Sequence, residues 1–205
     1  MKKLRRAWLI TAFEPFASRN ENNSALVLEE IKKLVAENSV SEEWDYDFYY
    51  FILPVEYDRC FDVLLSELKE LKTKKISVEG LLALGEGHEE FKIETQANNL
   101  DDVAELSDNV GVRRTAVKIF DDLPTDASLP LRLPFDAFSR IRSSKNPGYY
   151  ICNHLCARMS RNFGPTSDLP YFGFIHVPRA GLGGMFTAEI CAAIIVNSFK
   201  KIQTS

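Results

Sequence analysis

The stretch AWLITAFEPFASRNENNSALVLEEIKKLVAE, residues 7–37, decides the fold class because it places a short apolar run directly before an amphipathic segment. The run Ala7–Thr11 has the length and composition of a buried strand. From Ser24 the apolar residues follow helical spacing, and they lie broadly on one side of a helix: Leu26, Leu28, Ile31 and Leu34. The stretch therefore predicts a β-strand, a connecting loop and an α-helix.

The same order of strand and helix recurs in the segment that follows. FYYFILPV, from Phe48, has the aromatic and β-branched content of a strand, and Pro54 ends it. CFDVLLSELKEL then has helical apolar spacing, and EGLLALG indicates a short buried strand that ends at Gly85. Another strand, helix and strand are therefore predicted here.

The rest of the chain is harder to divide at first. Residues 86–135 are polar and contain prolines, and TAVKIF is a segment within them with strand-like composition. Beyond them, LPFDAFSRIR is predicted to be a helix, YYIC a strand, NHLCARMSRNF a helix, YFGFIHV a strand and FTAEICAAIIVNSFKKI a helix. The alternation of strands and helices thus resumes after the excursion.

Alternating strands and helices imply right-handed crossovers and a mostly parallel sheet that is covered on both faces. A chain of 205 residues with 45% hydrophobic residues is long enough for one sizeable core, and it contains no repeat or low-complexity tract. We therefore expect an α/β fold. It is a single-domain α/β/α sandwich with a mostly parallel central sheet, formed by residues 1–205.

Charge and length exclude several classes of partner. The formal net charge is −4, whereas binding to nucleic acid or to an anionic membrane needs concentrated positive charge. No stretch approaches the roughly 20 apolar residues that span a bilayer. We therefore expect a small or neutral partner, with no nucleic acid and no membrane.

The N-terminal residues and the cysteines indicate the cellular location of the protein. MKKLRRAWLITAF has the basic start and apolar run of a signal peptide, but the run is short, meets Glu14 and is followed by no small-residue cleavage site. We interpret it as the first buried strand. The four cysteines show no disulfide framework, so reduced thiols and a cytoplasmic location are expected. They are Cys60, Cys152, Cys156 and Cys191.

Polar or reactive side chains follow several of the predicted strands. TAFEPF follows the first strand, GEGHEE the third, and Cys152 and His176 lie at the ends of YYIC and YFGFIHV. In open α/β sheets, sites collect outside the carboxyl ends of the strands. These features are therefore expected to converge in one crevice.

Cys152 is a candidate nucleophile because it lies where a strand is predicted to give way to a helix. Unpaired amides and the positive end of a helix dipole depress the pKa of a thiol. The alternative is a small buried apolar side chain, the usual fate of a free cysteine. His154 points to a different side of the helix and is interpreted as structural. Cys156 forms only a weak metal pair with Cys152, so no metal is predicted.

His176 is the stronger candidate for the base. Its strand is predicted to lie beside the strand of Cys152, and a Cys/His couple requires proximity in space rather than in sequence. The alternative is a hydrogen-bonded core histidine. His88 ranks low because its loop is acidic. An orienting carboxylate would complete the site, and the residues leave four choices open. These are Glu86, Glu89, Glu90 and Glu94.

Three motifs in order resemble the pyroglutamyl peptidase I family of cysteine peptidases. TAFEPFASRNENNSA resembles the opening T-G-F-x-P-F-G-G…N-x-S of that family. GYYICNHL resembles its nucleophile segment G-x-[FY]-[VIL]-C-N-x-[LV], and GFIHVP is similar to G-F-I-H-[VI]-P, which carries its histidine. The resemblance spans most of the chain and implies the same phosphorylase/hydrolase-like sandwich.

The resemblance also implies residue roles. Cys152 matches the nucleophile, His176 the general base, and Glu94 in ETQANN the third catalytic member of an E-x-x-A-x-N pattern. The substrate pocket would use the residues that match its lining: Phe13, Phe16, Tyr150, Glu86 and Asn22. Asn22 and Ser24 would also fix the loop and cap the helix.

The reaction implied is removal of an N-terminal pyroglutamyl residue from peptides through an acyl-enzyme, without cofactor or metal. Bacterial members of the family imply a homo-oligomer, a dimer or tetramer. A flat, uncharged ring suits an aromatic pocket.

Two departures from the family pattern leave alternatives open. Glu86 stands where the family usually has Gln, and Glu105 where it usually has Arg. If both lined the site, they would stabilise a developing negative charge poorly. The alternatives are a related thiol amidohydrolase with a different amide substrate and an inactive binding protein on the same scaffold. A nucleoside phosphorylase shares the architecture, but the chain lacks a basic phosphate-binding cluster.

Overall fold

The side chains of the first strand point alternately into two apolar cores, one on each face of a sheet. In the computed structural model, which describes residues 6–41, 44–164 and 167–204, Trp8 and Ile10 belong to one core. Leu9 and Phe13 belong to the other. A strand that is buried on both faces is typical of a parallel sheet covered by helices. Residues 1–5 of the basic opening lie outside the described residues.

The elements alternate as the sequence predicts, with a set of short strands in the excursion. In chain order they are β1 (Arg6–Phe13), α1 (Asn23–Ser41), β2 (Tyr46–Leu53), α2 (Arg59–Thr73), β3 (Ser77–Glu86), β4 (Lys92–Glu94), β5 (Gln96–Asn98), β6 (Asp101–Val103), β7 (Arg114–Val117), β8 (Ser128–Pro130), β9 (Arg142–Ser144), α3 (Ile151–Asn162), β10 (Tyr171–Val177) and α4 (Ala188–Thr204). The predicted TAVKIF strand is thus present in part, as β7.

The main sheet has six strands in the order β2-β1-β3-β10-β4-β9. Strands β2, β1, β3 and β10 are parallel, β4 runs antiparallel to β10, and β9 runs parallel to β4. Two small antiparallel pairs, β5 with β8 and β6 with β7, lie outside it. The mostly parallel sheet of the prediction is confirmed.

Helices cover both faces of the sheet. One core packs residues of α1 and α4 against the sheet, with Ile31 and Phe199 among its fully buried members. The other packs α2 and α3, with Leu64 and Leu155 buried. Burial of such side chains supplies most of the driving force for this layering. The arrangement is the three-layer α/β/α sandwich that the alternation predicts.

Two predicted elements are wrong. YYIC is not a strand, because Tyr149 and Tyr150 form a bend and α3 begins at Ile151. Gly148, with φ of 81°, turns the chain just before this bend, and the Tyr149 carbonyl accepts a hydrogen bond from Asp102 instead of joining the sheet. Cys152 therefore follows a bend, and β10 lies between β3 and β4 rather than beside a Cys152 strand.

LPFDAFSRIR is not a helix but a run of turns that leads into β9. The N–H of Phe138 donates to the Phe135 carbonyl, and the N–H of Ile141 donates to the Phe138 carbonyl. Phe138 and Ile141 are buried in the core shared with α4, where Phe138 packs edge-on against Phe199. Successive turns bury these apolar residues at near-helical spacing without forming a regular helix.

Candidate active site

The candidate nucleophile lies at the start of a helix and against the sheet. Cys152 is the second residue of α3. A β-carbon added to Gly85 of β3 would lie 2.9 Å from the Cys152 sulfur, so the glycine permits this close approach. His176 is the neighbour of Gly85 in the register of β10 and β3. Gly85 thus brings the thiol to the strand pair that carries the histidine.

The candidate base is held by a buried carboxylate. His176 Nδ1 lies 2.9 Å from Glu94 Oε1, the Glu94 side chain is completely buried, and that of His176 is 6% exposed. The antiparallel register sets this contact, because Lys92 of β4 pairs with His176 and Glu94 lies two residues further along. A histidine whose Nδ1 binds a carboxylate presents Nε2 to other groups.

Glu94 remains ionised in this setting. Burial alone would raise the pKa of its carboxyl group, but the hydrogen bond and charge of His176, with help from Lys92, outweigh it and lower the pKa. The Lys92 Nζ atom lies 3.4 Å from Glu94 Oε1. The negative charge can therefore stabilise a positive charge that forms on His176.

The resting thiol differs from the expectation. Burial and the negative charge of Glu94 raise the pKa of Cys152 to about 12, so the predicted depression by the helix terminus is wrong for the free protein. The helix dipole acts within one turn and is smaller than the cost of burying a thiolate here. A base must therefore accept the thiol proton as the reaction occurs.

A small pocket adjoins the thiol and contains all five predicted substrate-binding residues. It is lined by Phe13, Phe16, Asn22, Val55, Glu86, Tyr150, Ile151 and Cys152. The rings of Phe16 and Tyr150 lie 6.1 Å apart, centre to centre. The Tyr150 hydroxyl donates a hydrogen bond of 2.8 Å to the Ser107 carbonyl, which fixes its ring. Aromatic walls with few polar groups are typical of sites for flat organic ligands.

The loop from β1 to α1 shapes one wall of this pocket. Asn22 Nδ2 donates to the Glu14 carbonyl, and its Oδ1 accepts the N–H of Ser24, as an N-cap residue does. Ser24 Oγ donates to Asn22 Oδ1 and accepts the N–H of Phe13. Asn22 thus caps the helix, whereas Ser24 ties the loop to the strand.

The two acidic residues that depart from the family pattern, Glu86 and Glu105, lie in different environments. Glu86 lines the pocket, but its Oε1 is paired with Arg19 Nη1 and its Oε2 accepts the N–H of Asn23 at 2.7 Å. Glu105 is exposed and does not line the pocket. The condition that both carboxylates line the pocket is therefore not met.

The carboxylates and the histidine that the sequence left open differ in their contacts. Of the four carboxylates left open, Glu94 is the one that contacts His176. Glu90 pairs with Arg142 at the surface, and the exposed His88 lies near Glu89. No cluster of three or more His, Cys, Asp or Glu residues that could hold a metal occurs within residues 6–41, 44–164 and 167–204. In the same ranges, no helix has the length and apolarity to cross a membrane.

Sequence reasoning missed a partly buried charged cluster next to the site. His154 Nδ1 lies 2.8 Å from Asp101 Oδ2, and its Nε2 lies 3.2 Å from Asp58 Oδ1. Arg114 contacts both carboxylates. The cluster ties α3 to the start of α2 and to the β6/β7 pair. The partners are far apart in sequence, so no local signal could reveal them.

Comparisons with known proteins identify sequences similar to this chain. Residues 6–182 match the family model described as pyroglutamyl peptidase. A pyrrolidone-carboxylate peptidase 1 of Saccharolobus solfataricus is 30% identical over 177 residues, which cover 83% of this chain and 77% of that protein. Another, from Caldanaerobacter subterraneus subsp. tengcongensis, is 27% identical over 178 residues, with 83% and 81% covered.

Solved structures show the same fold. The crystal structure of pyroglutamyl peptidase I from Bacillus amyloliquefaciens superposes with a TM-score of 0.74, covers 97% of this chain and 95% of its own, and is 18% identical. A pyrrolidone carboxyl peptidase from Fervidobacterium islandicum AW-1 has a TM-score of 0.70, covers 95% and 98%, and is 24% identical.

Proposed function

The chain belongs to the pyroglutamyl peptidase family of cysteine peptidases, and we propose from this premise that Cys152, His176 and Glu94 form its catalytic triad. The family consists of cysteine-type hydrolases that act on pyroglutamyl peptides. The observation that carries the assignment is the hydrogen bond between His176 and the buried Glu94, beside the glycine against which the Cys152 sulfur lies.

The first step uses the two nitrogens of His176 differently. The Nδ1–H group donates a hydrogen bond to the Glu94 carboxylate, so the lone pair of Nε2 is free to accept a proton. It takes the thiol proton of Cys152 as the sulfur attacks the carbonyl carbon of the pyroglutamyl residue. Because the pKa of this thiol is raised in the free protein, the proton moves to His176 at the same time as the sulfur attacks the carbonyl carbon. Glu94 stabilises the imidazolium that forms.

The second step releases the products. The tetrahedral intermediate collapses, the C–N bond breaks, and the imidazolium gives its proton to the leaving amine. A thioester remains on Cys152. Water, activated by His176, then attacks it, which frees pyroglutamate and restores the thiol.

The start of α3 supports the negatively charged intermediate. The first amides of an α-helix have no acceptor within the helix, and the positive end of its dipole lies there. Ile151 and Cys152 occupy these positions. Their N–H groups supply donors for the oxyanion without the arginine that the family usually has at the position of Glu105.

The aromatic pocket selects the substrate. The rings of Phe13, Phe16 and Tyr150 surround the space next to the sulfur, which suits a flat five-membered lactam. A free ammonium group would lose its hydration there. The substrate is therefore a peptide whose N-terminus is cyclised and neutral.

The presence of Glu86 at the family's Gln position favours one rival, a thiol amidohydrolase with another amide substrate. A panel of fluorogenic amides separates the two. We expect the pyroglutamyl amide to be cleaved at least tenfold faster than acetyl-prolyl, glutaminyl or alanyl amides, which is about the discrimination of a well-fitted pocket. Preference for another member of the panel would contradict the proposal.

The proposal also covers the cellular location and the oligomeric state of the protein. The four cysteines are unpaired, which fits a cytoplasmic setting. Exposed apolar side chains after β10 and on α4 fit a contact surface between copies of the chain. These are Leu182, Met185 and Ile190. Light scattering after size exclusion is expected to give the mass of a dimer or tetramer, and a monomer would contradict this part.

A further inference from the structure

We propose that Arg19 determines the specificity of the ring pocket, because it cancels the charge of Glu86 and so lets the pocket select a neutral ring. The inference rests on the proposed function of the pocket as the site of the pyroglutamyl ring. It concerns a residue of this chain that none of the three motifs assigns to the site.

Glu86 is a buried carboxylate in the wall of the pocket. It is the last residue of β3, and its side chain is 4% exposed. One oxygen is paired with Arg19, and the other accepts the first N–H of α1, that of Asn23, at 2.7 Å. A carboxylate buried to this extent requires such partners. The negative charge of Glu86 in the pocket wall is therefore balanced by Arg19, which is not one of the residues that line the pocket.

Arg19 is held in place from two sides. Its guanidinium group lies 4.3 Å from the centre of the Phe16 ring, as in a cation–π contact. Its N–H donates to the Phe16 carbonyl, which closes the turn through Ala17 and Ser18. The side chain is 22% exposed, so it lies between the pocket and solvent. Arg19 is thus oriented by the same aromatic residue that lines the pocket.

The chemistry of a carboxylate explains why this balance matters. The side chain of Gln both donates and accepts hydrogen bonds, whereas an ionised Glu only accepts. Glu86 can accept the lactam N–H with a remaining lone pair. Without Arg19, its charge would be desolvated by a neutral ring and would favour a cationic ring of equal size, such as that of an N-terminal proline. The ion pair removes this preference.

Several other groups face the same space. Glu86 also lines a second, adjoining groove with Glu21 and Arg179. Tyr150 and Cys152 share the ring pocket with it. Burial raises the pKa of both, so they are neutral near pH 7. Within the described residues, Arg19 is the charged side chain that pairs with the Glu86 carboxylate.

A double-mutant cycle with two substrates tests the proposal. Arg19→Gln is made in the wild-type and in the Glu86→Gln background, and kcat/KM is measured with pyroglutamyl- and prolyl-aminomethylcoumarin. In the wild-type background we expect a fall of roughly tenfold or more for the pyroglutamyl substrate and a shift of the ratio toward the prolyl substrate. In the Glu86→Gln background the same change should cost less than about threefold. Arg179→Gln, which removes an exposed cation nearby, is the control.

The comparison of the two backgrounds and the two substrates separates this role from a structural one. An equal loss in both backgrounds and with both substrates would overturn the proposal and make Arg19 a loop-stabilising residue.

A binding readout keeps this test apart from the proposed function. The rate of Cys152 alkylation by iodoacetamide is measured with 2-pyrrolidone, a neutral ring, or pyrrolidine, a cationic ring, as protecting probe. Wild type should be protected by 2-pyrrolidone and Arg19→Gln by pyrrolidine. If this pattern of protection is found but the protein has no peptidase activity, the proposed function is wrong and the role of Arg19 in the pocket stands. Equal protection of both proteins by each probe would overturn the inference.

Discussion

His176 Nδ1 and Glu94 Oε1 lie 2.9 Å apart, although the two residues are separated by 82 positions and both are buried. A buried carboxylate at this distance holds the imidazole in one tautomer and orientation. The contact is therefore the structural basis for assigning His176 as the base, and it makes Glu94 a testable member of the site.

Replacement of this carboxylate should reduce the chemical step. Glu94→Gln keeps the shape of the side chain but cannot stabilise the imidazolium, so we expect kcat to fall on the order of 10³- to 10⁴-fold with a smaller change in KM. The measurement is steady-state kinetics with a pyroglutamyl amide. Glu70→Gln, which removes an exposed α2 carboxylate that pairs with Lys74 beyond the end of the helix, is the matched control. A loss below about tenfold would remove Glu94 from the triad.

Alkylation should distinguish Cys152 from the other thiols. Cys60, Cys156 and Cys191 are completely buried, whereas Cys152 is partly exposed. Iodoacetamide should therefore label Cys152 first, as identified by peptide mass spectrometry. Because the resting pKa of this thiol is raised, the labelling rate should fall in His176→Ala. Equal labelling of Cys60, or no effect of His176→Ala, would contradict the account.

The partly buried cluster around His154 should make the free energy of unfolding depend on pH. Burial alone would lower the pKa of His154, but Asp101 and Asp58 outweigh it and raise the pKa. A histidine with a raised pKa contributes stability that is fully present below the unfolded value of about 6.5 and is lost as pH rises through the folded value. Because Arg114 still pairs with both carboxylates, His154→Gln should cost only roughly 1–3 kcal/mol at pH 6, and less at alkaline pH.

Chemical denaturation of wild type and His154→Gln at several pH values measures this difference. His88→Gln, which changes an exposed histidine, is the control and should leave stability unchanged. A cost for His154→Gln that is constant from pH 6 to alkaline pH would show that the residue contributes packing rather than charge.

Two residues in the pocket loop occupy a strained conformation. Ala17 and Ser18 have φ values of 54° and 58°, in the left-handed region that favours glycine. The related family motif has glycines at both positions. Ala17→Gly and Ser18→Gly should each raise the free energy of unfolding by roughly 0.5–1 kcal/mol, since relief of strain exceeds the added entropy of the unfolded chain.

Ala104→Gly is the control for this effect. Ala104 is exposed and is not among the residues with positive φ, so glycine there should reduce stability slightly. If all three substitutions destabilise the protein equally in denaturant titrations, the loop is not strained at Ala17 and Ser18.

The sequence predicted the elements whose burial is periodic and missed those set by distant contacts. β1 and α1 show the apolar spacing of their type, and both are present. Tyr149 and Tyr150 have the composition of a strand, but their backbone bonds go to other partners. Aromatic content indicates that a segment is buried, but it does not indicate which backbone hydrogen bonds the segment makes.

The same distinction holds for the site. Cys152 and His176 can be predicted as site residues because they are reactive and lie at the ends of predicted elements. The choice of Glu94 depended on the resemblance to the family motif. Its contact with His176 arises from the pairing of a three-residue strand that sequence alone did not show. The pairing of Arg19 with Glu86 crosses 67 positions and was not predicted.

The most direct test of the central claim is release of aminomethylcoumarin from its pyroglutamyl amide by the purified protein, with Cys152→Ala in parallel under reducing conditions. We predict that wild type releases the fluorophore and that Cys152→Ala retains the fold by circular dichroism but releases none above background. Undiminished release by a folded Cys152→Ala variant would contradict the assignment of the nucleophile, and no release by wild type would contradict the proposed substrate.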